Sequence, residues 1–277
     1  MITGASTGIG YAVAEIFIAN GFRAFGSVRT AEDGEKVKTA LGENFVPIIF
    51  DVTDHDAVRK GAAQVQEMIG DEGLALLVNN AGIAVMGPLA ITDISEYRRQ
   101  FEVNVFGLIV STQAFLPMLG ATIPYAQTPG KIINISSVAG QLAFPFTSPY
   151  AGSKSAVEAI SQSLRRELLM YGIDVVIVGP GAIKTPIWRK AAPPTEKQLN
   201  SDYGRMYKGF GKEFTKGASS AMEVEVLADN IFRIFKNKKP KTRYAFLNDK
   251  FKKWTIPKYF MSDRQLDGFI KKMFKIK

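Results

Sequence analysis

The sequence predicts an α/β fold, a doubly wound parallel sheet with helices on both faces, in a single domain. Short, nearly continuous apolar runs recur along the chain, longer segments of helical period separate them, and neither an internal repeat nor an interdomain linker breaks the alternation. Strands apolar at every position are buried on both faces, and parallel neighbours need a crossover that a helix supplies. With 277 residues, 46% of them hydrophobic, the chain can bury one sizeable core or at most two small ones.

Taken in order, the strands fall at "FRAFGSV" (22 to 28), "FVPIIF" (45 to 50), "LALLVN" (74 to 79), "KIINIS" (131 to 136), "IDVVIV" (173 to 178) and "RYAFL" (243 to 247). Each is short and rich in β-branched or aromatic residues. Helical periods lie between them, near 9 to 20, 31 to 41, 54 to 70, 95 to 119, 149 to 171 and 223 to 237. The stretch 184 to 222 mixes Pro193, Pro194, Gly204, Gly209, Gly211 and Gly217 with aromatics after a strand end, which reads as a loop or lid. Only Met1 and Ile2 precede Thr3, where the first, central strand of such a sheet normally spans about five or six residues. A shorter strand would leave neighbouring ladders unpaired, so further residues upstream of Met1 are expected.

Composition narrows the chemistry. There is no cysteine and one histidine, His55, which removes disulfide scaffolds, thiolate chemistry, zinc sites and Ser-His or Cys-His nucleophiles. No apolar run reaches the length of a membrane span, and "MITGAS" opens without a signal segment, so a cytoplasmic location is expected. The net charge of +9 is uneven: residues 236 to 277 hold 14 Lys and Arg against 3 Asp, leaving 21 basic and 23 acidic residues before them. A neutral body with a basic tail and no recognisable module argues against nucleic acid as a partner.

In a doubly wound sheet, ligands sit at the carboxyl ends of the strands. There the sequence has "TGASTGIG" (3 to 10), where Gly4, Gly8 and Gly10 allow a tight turn and let a pyrophosphate approach backbone N–H groups at a helix N-terminus. A bland strand-to-helix turn would also use glycines, so the later strand ends matter. Asp51 in "DVTD" can meet an adenine amino group, and "NNAG" (79 to 82) offers small residues against which a ribose can lie.

These motifs, with "YAGSK" and "PGAIKTP" (180 to 186) in this order and with "ISS" ending 13 residues before Tyr150, resemble the short-chain dehydrogenase/reductase superfamily over residues 3 to about 247. The longer tail is more similar to the extended forms related to hydroxysteroid and retinol dehydrogenases. The resemblance implies a Rossmann-type, NADP-binding catalytic domain over 1–247 with a lid at about 184–222, extended by a basic amphipathic segment, 248–277, of the same domain. It implies a catalytic set of Asn104, Ser137, Tyr150 and Lys154, with Asn104 positioning a water that links Lys154 to solvent. It also implies cofactor contacts from Gly4, Ser6, Gly8, Ile9, Gly10, Arg29, Asp51, Val52, Asn80, Ala81, Gly82, Tyr150, Lys154, Pro180, Gly181, Ile183 and Thr185, no metal, and assembly as a homodimer or homotetramer.

The residues support these roles chemically. Tyr150 and Lys154, at i and i+4, share a helix face. A nearby ammonium and an oxidised nicotinamide ring both favour the phenolate, each pKa unit needing about 1.4 kcal/mol. Tyr150 could then give a proton to a carbonyl oxygen or take one from an alcohol, while Ser137 hydrogen-bonds that oxygen and Lys154 holds the nicotinamide ribose. At the end of the second strand an acid would accept the 2′-hydroxyl of NAD, but the sequence there is Val28–Arg29, and Arg29 suits the 2′-phosphate of NADP(H).

Substrate is read from "VAGQLAFPF" (138 to 146), "IAVMGP" (83 to 88) and the lid residues Ile187, Trp188, Tyr203, Met206, Tyr207, Phe210 and Phe214, several of them core candidates. A largely apolar pocket suits a lipid-, steroid- or retinoid-like carbonyl or alcohol. Lys184, Arg189 and Lys190 could take an acidic handle, or simply be solvated. The tail helix, 262 to 277, opens on a Ser262/Gln265 capping box. It sets Leu266, Phe269, Ile270, Met273 and Phe274 on one face with Lys271, Lys272, Lys275 and Lys277 off that stripe, a pattern open to docking on the body, on a partner subunit or on an anionic membrane. Two rival functions stand beside hydrophobic-carbonyl reduction: a 3-ketoacyl thioester reductase, and a non-catalytic NADPH-binding regulator that would have no need of a proton donor.

Overall fold

The structure is a computed structural model. It describes residues 1–274 except 125, 127, 189–193 and 220, with backbone alone at Trp188 and 213–219. Its helices are α1 (Gly8–Ala19), α2 (Ala31–Leu41), α3 (His55–Ile69), α4 (Ile94–Phe101), α5 (Gly107–Phe115), α6 (Ser148–Glu167), α7 (Glu196–Leu199), α8 (Gly204–Ser219), α9 (Val224–Lys236), α10 (Ile256–Tyr259) and α11 (Asp263–Phe274). The strands are β1 (Ala24–Val28), β2 (Phe45–Ile49), β3 (Leu76–Asn79), β4 (Lys131–Ile135), β5 (Asp174–Pro180) and β6 (Arg243–Phe246).

All strand pairs are parallel, in the orders β1-β2 and β3-β4-β5-β6. The first three residues join the two groups. Ile2 bridges Gly26 of β1 and Val78 of β3, and the ladder runs Ile2 N–H to Phe25 O (2.8 Å), Ser27 N–H to Ile2 O (2.8 Å), Val78 N–H to Met1 O (2.8 Å) and Thr3 N–H to Val78 O (2.9 Å). Met1–Thr3 thus hold the central place from which the chain first winds one way, through β1 and β2, and then the other. The crevice at this reversal is where such sheets bind ligands.

The period of two along the strands sorts side chains between two cores. Ile132 and Val175 face one, with Leu77, Phe115 and Leu119; Ile133 and Val176 face the other, with Val78, Val13, Leu227 and Ile231. Each of these side chains is 0–1% exposed, worth about 1.5–3 kcal/mol apiece. The second core is closed by α1 against α9, where Phe17 meets Phe232 and Phe235, both with ring centroids 5.1 Å away.

Three elements differ from the sequence reading. The helix expected over 95 to 119 is interrupted by a π-helical turn, Glu102–Phe106, because Asn104 within it is tied to neighbouring elements. The lid contains two helices where irregular chain was expected. The glycines that suggested loop are tolerated at about 1 kcal/mol each: Gly204 lies at the start of α8, and Gly209 faces Phe274 of α11. The tail begins with a second π-helical turn, Phe251–Thr255, whose Trp254 is 6% exposed. The Ser262/Gln265 capping box is present, with Ser262 N–H donating to Gln265 Oε1 at 2.8 Å and Gln265 N–H to Ser262 Oγ at 3.3 Å.

Candidate active site

The glycine turn is built for close approach. Gly4 (φ 69°) and Gly8 (φ 61°) lie in the left-handed region, and a Cβ on Gly10 would sit 2.2 Å from Gly4 O. The turn is pinned to the end of β3 by Thr3, whose hydroxyl accepts the Asn80 and Ala81 N–H groups at 2.9 and 3.0 Å, while Asn80 Nδ2 donates to Thr3 O and Gly4 O at 3.0 Å. Ser27 Oγ accepts the Gly4 N–H at 2.9 Å. Thr3 and Ser27 were not singled out in the sequence; their hydroxyls act through partners 23 to 78 residues away.

Around this turn the other cofactor candidates converge. Ser6 and Ile9 are on the turn and the first turn of α1. Gly8 approaches Thr185, whose Cβ lies 3.3 Å from where a Gly8 Cβ would be. Pro180, Gly181 and Ile183 follow at the end of β5, with Gly181 N–H on Phe246 O (2.8 Å) and Ile183 bridged to Met222. Arg29, exposed just beyond β1, has no ion-pair partner among the described residues. Asp51 Oδ1 is taken by the N–H (2.9 Å) and hydroxyl (2.8 Å) of Thr53, which orients the carboxylate and leaves its second oxygen for a ligand. The Val52 side chain is buried under Gly107, so only its backbone could meet a nucleotide. These residues fit a dinucleotide: a cradle that a single Cβ would fill, N–H groups at the start of α1, and an uncommitted guanidinium where the 2′-phosphate of NADP would lie.

Across the crevice, Ser137 lies two residues beyond β4 and α6 opens with Tyr150 and Lys154, all buried. Tyr150 and Ser137 share a hydrogen bond. Ser137 Oγ also accepts the Ala139 N–H (3.1 Å) and lies 3.4 Å from Pro180 O. Lys154 Nζ donates to Ile135 O at 2.7 Å and stands 6.0 Å from the Tyr150 ring centroid. Burial pushes the Tyr150 phenol above its usual pKa, against the Ser137 hydrogen bond, and pulls the Lys154 ammonium down to about 8, against the pull of Glu158. The sequence reading had the ammonium lowering the tyrosine. Without the nicotinamide cation, desolvation wins and keeps the Tyr150 phenol protonated.

Asn104 occupies the π-helical turn, 1% exposed. Its Oδ1 accepts Ile83 N–H (2.9 Å), and its Nδ2 donates to Ile83 O (3.1 Å) and to Ser153 Oγ (3.1 Å) on α6, beside Lys154. The π turn is thereby held between Gly82–Ile83 and α6, and such turns recur at functional sites. Gly82 sits against Asn104 Oδ1, 3.2 Å from where its Cβ would be.

A cavity of about 530 Å³ opens from Gly82–Ile83, lined by Ile83, Val85, Met86, Ile91 and Ile187 with Asp93, Glu96, Arg99 and Lys197 at its polar side. Of the lid aromatics, Tyr207 and Phe210 are buried on Phe146, at ring centroid distances of 5.1 and 5.7 Å, so they hold the lid down and are not lining. Phe146 takes φ 67°, unusual for a bulky residue, with its carbonyl accepting the Gly87 N–H at 2.8 Å. Tyr203 is 41% exposed and Met206 partly buried in the same cluster. Lys184 is ion-paired with Glu223. Arg189 and Lys190, and the side chains of Trp188 and Phe214, fall outside the described residues.

The chain belongs to the short-chain dehydrogenase family, whose model matches residues 1–196. Particular relatives agree with the membership. It is 41% identical over 275 residues, 99% of this chain and 96% of the relative, to an NADPH-dependent 3-dehydrocapnine reductase of Ornithobacterium rhinotracheale. It is 30% identical over 256 residues, 88% of this chain and 78% of the relative, to 17-beta-hydroxysteroid dehydrogenase type 6 of Bos taurus. A crystal structure of a short-chain dehydrogenase from Streptomyces avermitilis superimposes with a TM-score of 0.77 at 29% identity, covering 99% of this chain and 95% of that one. The chain is an oxidoreductase of this family.

Proposed function

We propose that this protein reduces a ketone or aldehyde on a hydrophobic, lipid-, steroid- or retinoid-like molecule with NADPH, and can run the reverse oxidation of the alcohol. The observation that carries the reading is the buried Ser137–Tyr150–Lys154 group facing a glycine cradle across one crevice. NADPH, once bound, supplies the hydride. Gly4, Gly8 and Gly10 admit the pyrophosphate, Arg29 pairs with the 2′-phosphate, and Lys154 holds the ribose. Ser137 hydrogen-bonds the substrate oxygen while Tyr150 delivers the proton to it. Asn104 keeps the π turn open beside Lys154. The apolar wall of the 530 Å³ cavity supports a hydrophobic substrate, and the relatives named above are an NADPH-dependent reductase and a hydroxysteroid dehydrogenase. Consumption of NADPH against a panel of long-chain ketones, short ketones and ketoacyl thioesters tests this. Preference for thioesters overturns the substrate class, and no consumption with any carbonyl favours a binding-only protein.

Arg29→Asp will weaken NADPH and bring NADH closer in kcat/KM, because a carboxylate repels the 2′-phosphate and can accept the free 2′-hydroxyl. Equal use of NADH and NADPH by the unaltered protein would show that Arg29 is a solvated loop residue.

The tail belongs to the same reading. No described helix is long and apolar enough to cross a membrane. Yet Phe251, Tyr259, Phe260 and Phe269 are 63, 62, 72 and 51% exposed among exposed Lys252, Lys253, Lys258, Lys271 and Lys272. We propose that this face rests on anionic lipid from the cytoplasm, each lysine adding about 1 kcal/mol of screened attraction, the body assembling as a homodimer or homotetramer. Phe251→Ser/Phe260→Ser will release the protein from anionic vesicles in co-sedimentation without lowering its melting temperature. Undiminished binding, or a fall in Tm, assigns these rings to a protein interface.

A further inference from the structure

Behind the catalytic helix lies an ion pair that the proposed chemistry does not use. Glu158 is one turn beyond Lys154, so Tyr150, Lys154 and Glu158 line one face of α6 at successive i+4 steps. Arg243, the first residue of β6, clasps the Glu158 carboxylate with two bonds, Nε to Oε2 at 2.8 Å and Nη2 to Oε1 at 3.1 Å, with side chains 16 and 5% exposed. The same Nη2 reaches the carbonyl of Ser137 at 3.5 Å. It passes a gap that only glycine leaves: a Cβ on Gly179 would lie 2.5 Å from Arg243 Nη2 and 3.4 Å from the Ser137 carbonyl carbon. Gln141, four residues after Ser137, donates to Glu158 Oε2 at 3.1 Å.

The far side of this pair is closed by the tail. Trp254 of the π-helical turn lies with its ring centroid 5.3 Å from Arg243 Cζ, and Lys258 of α10 donates to the Gln141 carbonyl at 3.2 Å. The tail residues 251–259 therefore bear on both partners of Glu158, and Glu158 bears on both Ser137 and Lys154.

We infer that Glu158 and Arg243 are positioning residues through which the C-terminal segment fixes the Ser137 loop and sustains the charge of Lys154. This rests on the catalytic roles proposed for Ser137 and Lys154. A purely structural salt bridge between α6 and β6 would affect stability alone. A positioning pair must also alter the titration of Lys154. Among the described residues, the titratable or charged groups facing Lys154 are Tyr150 and Glu158 on its own helix and, behind Glu158, Arg243. Lys131 of β4 and Asp174 of β5 lie at the opposite, amino ends of their strands, and Tyr97 of α4 hydrogen-bonds α6 at Ser148, at the helix start. Glu158 is thus the one anion there. Removing its charge takes away the ammonium's support, so the Lys154 pKa falls further below the lysine range and the alkaline limb of the reductase profile moves to lower pH.

The test is an NMR titration of lysine side chains in the full-length protein without cofactor, beside kcat against pH. Glu158→Gln is expected to shift Lys154 downward by half a pH unit or more and to cut kcat about tenfold, with NADPH affinity within about threefold. Glu158→Asp should restore the titration but not all of kcat. Arg243→Lys, which keeps the Glu158 charge but cannot bridge to Ser137, should lower kcat without lowering the Lys154 titration. An unmoved Lys154 resonance in Glu158→Gln overturns the proposal, as does an Arg243→Lys protein of undiminished kcat whose only change is in Tm. The NMR arm needs no turnover, so an unaltered protein inactive toward carbonyls would count against the functional reading alone. Should Glu158→Gln fail to fold, Trp254→Phe and Lys258→Gln, which loosen the tail from the pair, are expected to lower kcat severalfold with Tm nearly kept, and unchanged kcat in both overturns it.

Discussion

Tyr150→Phe will reduce turnover by about a thousand-fold or more, within or beyond the range for loss of a positioned acid, while NADPH affinity stays within a few-fold. The phenol is 7% exposed and its pKa is raised by burial, so at neutral pH it keeps the proton that the proposed reaction needs. Phenylalanine keeps the ring and its packing and deletes only the hydroxyl that meets Ser137. The glycine cradle and Arg29 are untouched, so the cofactor should still bind. Loss of NADPH absorbance with a ketone measures the first effect, and NADPH fluorescence on binding measures the second. Activity within about tenfold of the unaltered protein would mean that the proton comes from elsewhere. A lost NADPH affinity would place Tyr150 in cofactor binding.

What the sequence made legible follows from how local each feature is. The turn at Gly4, Gly8 and Gly10 and the Tyr150–Lys154 pair depend on contacts within a few residues, so spacing alone points to them. The parallel sheet was legible because strands buried on both faces are apolar throughout, as Leu76–Asn79 and Lys131–Ile135 largely are. Features made by distant partners were not. The π turn at Asn104 exists through bonds to Ile83 and Ser153, 21 and 49 residues away, and nothing in "VNVFG" distinguishes it from regular helix. The Glu158–Arg243 pair spans 85 residues and joins a helix charge to a strand charge, each of which alone reads as a solvated surface group. In α8 the error ran the other way. Its glycines spoke for loop, but the Tyr207 and Phe210 contacts on Phe146 supply enough burial to override that propensity. The tail reading also became more specific: it docks through Trp254 and, from the amphipathic stripe, through Phe274 on the Phe146–Tyr207–Phe210 cluster, and leaves Phe269 exposed.

Ser137→Ala is expected to lower kcat roughly a hundred-fold, the scale for removing one donor to a developing oxyanion. Ser137 Oγ is anchored before any substrate arrives, accepting the Ala139 N–H at 3.1 Å and bonding Tyr150, so its hydrogen-bonding direction costs little to set during the reaction. The charge on the substrate oxygen grows only as hydride arrives, so the lost bond matters more in the transition state than in the ground state. The fall should therefore sit in kcat, with KM within a few-fold. In the proposed reaction Ser137 and Tyr150 act on the same oxygen, so Ser137→Ala/Tyr150→Phe should be scarcely slower than Tyr150→Phe alone, far from the product of the two effects. Multiplicative losses would show that the two groups act in separate steps, and a serine variant within about threefold of the unaltered kcat would remove Ser137 from the chemistry. Arg243→Lys offers a graded comparison, since it leaves the hydroxyl in place and loosens only the carbonyl behind it. Its loss should be smaller than that of Ser137→Ala and should disappear in the Ser137→Ala background.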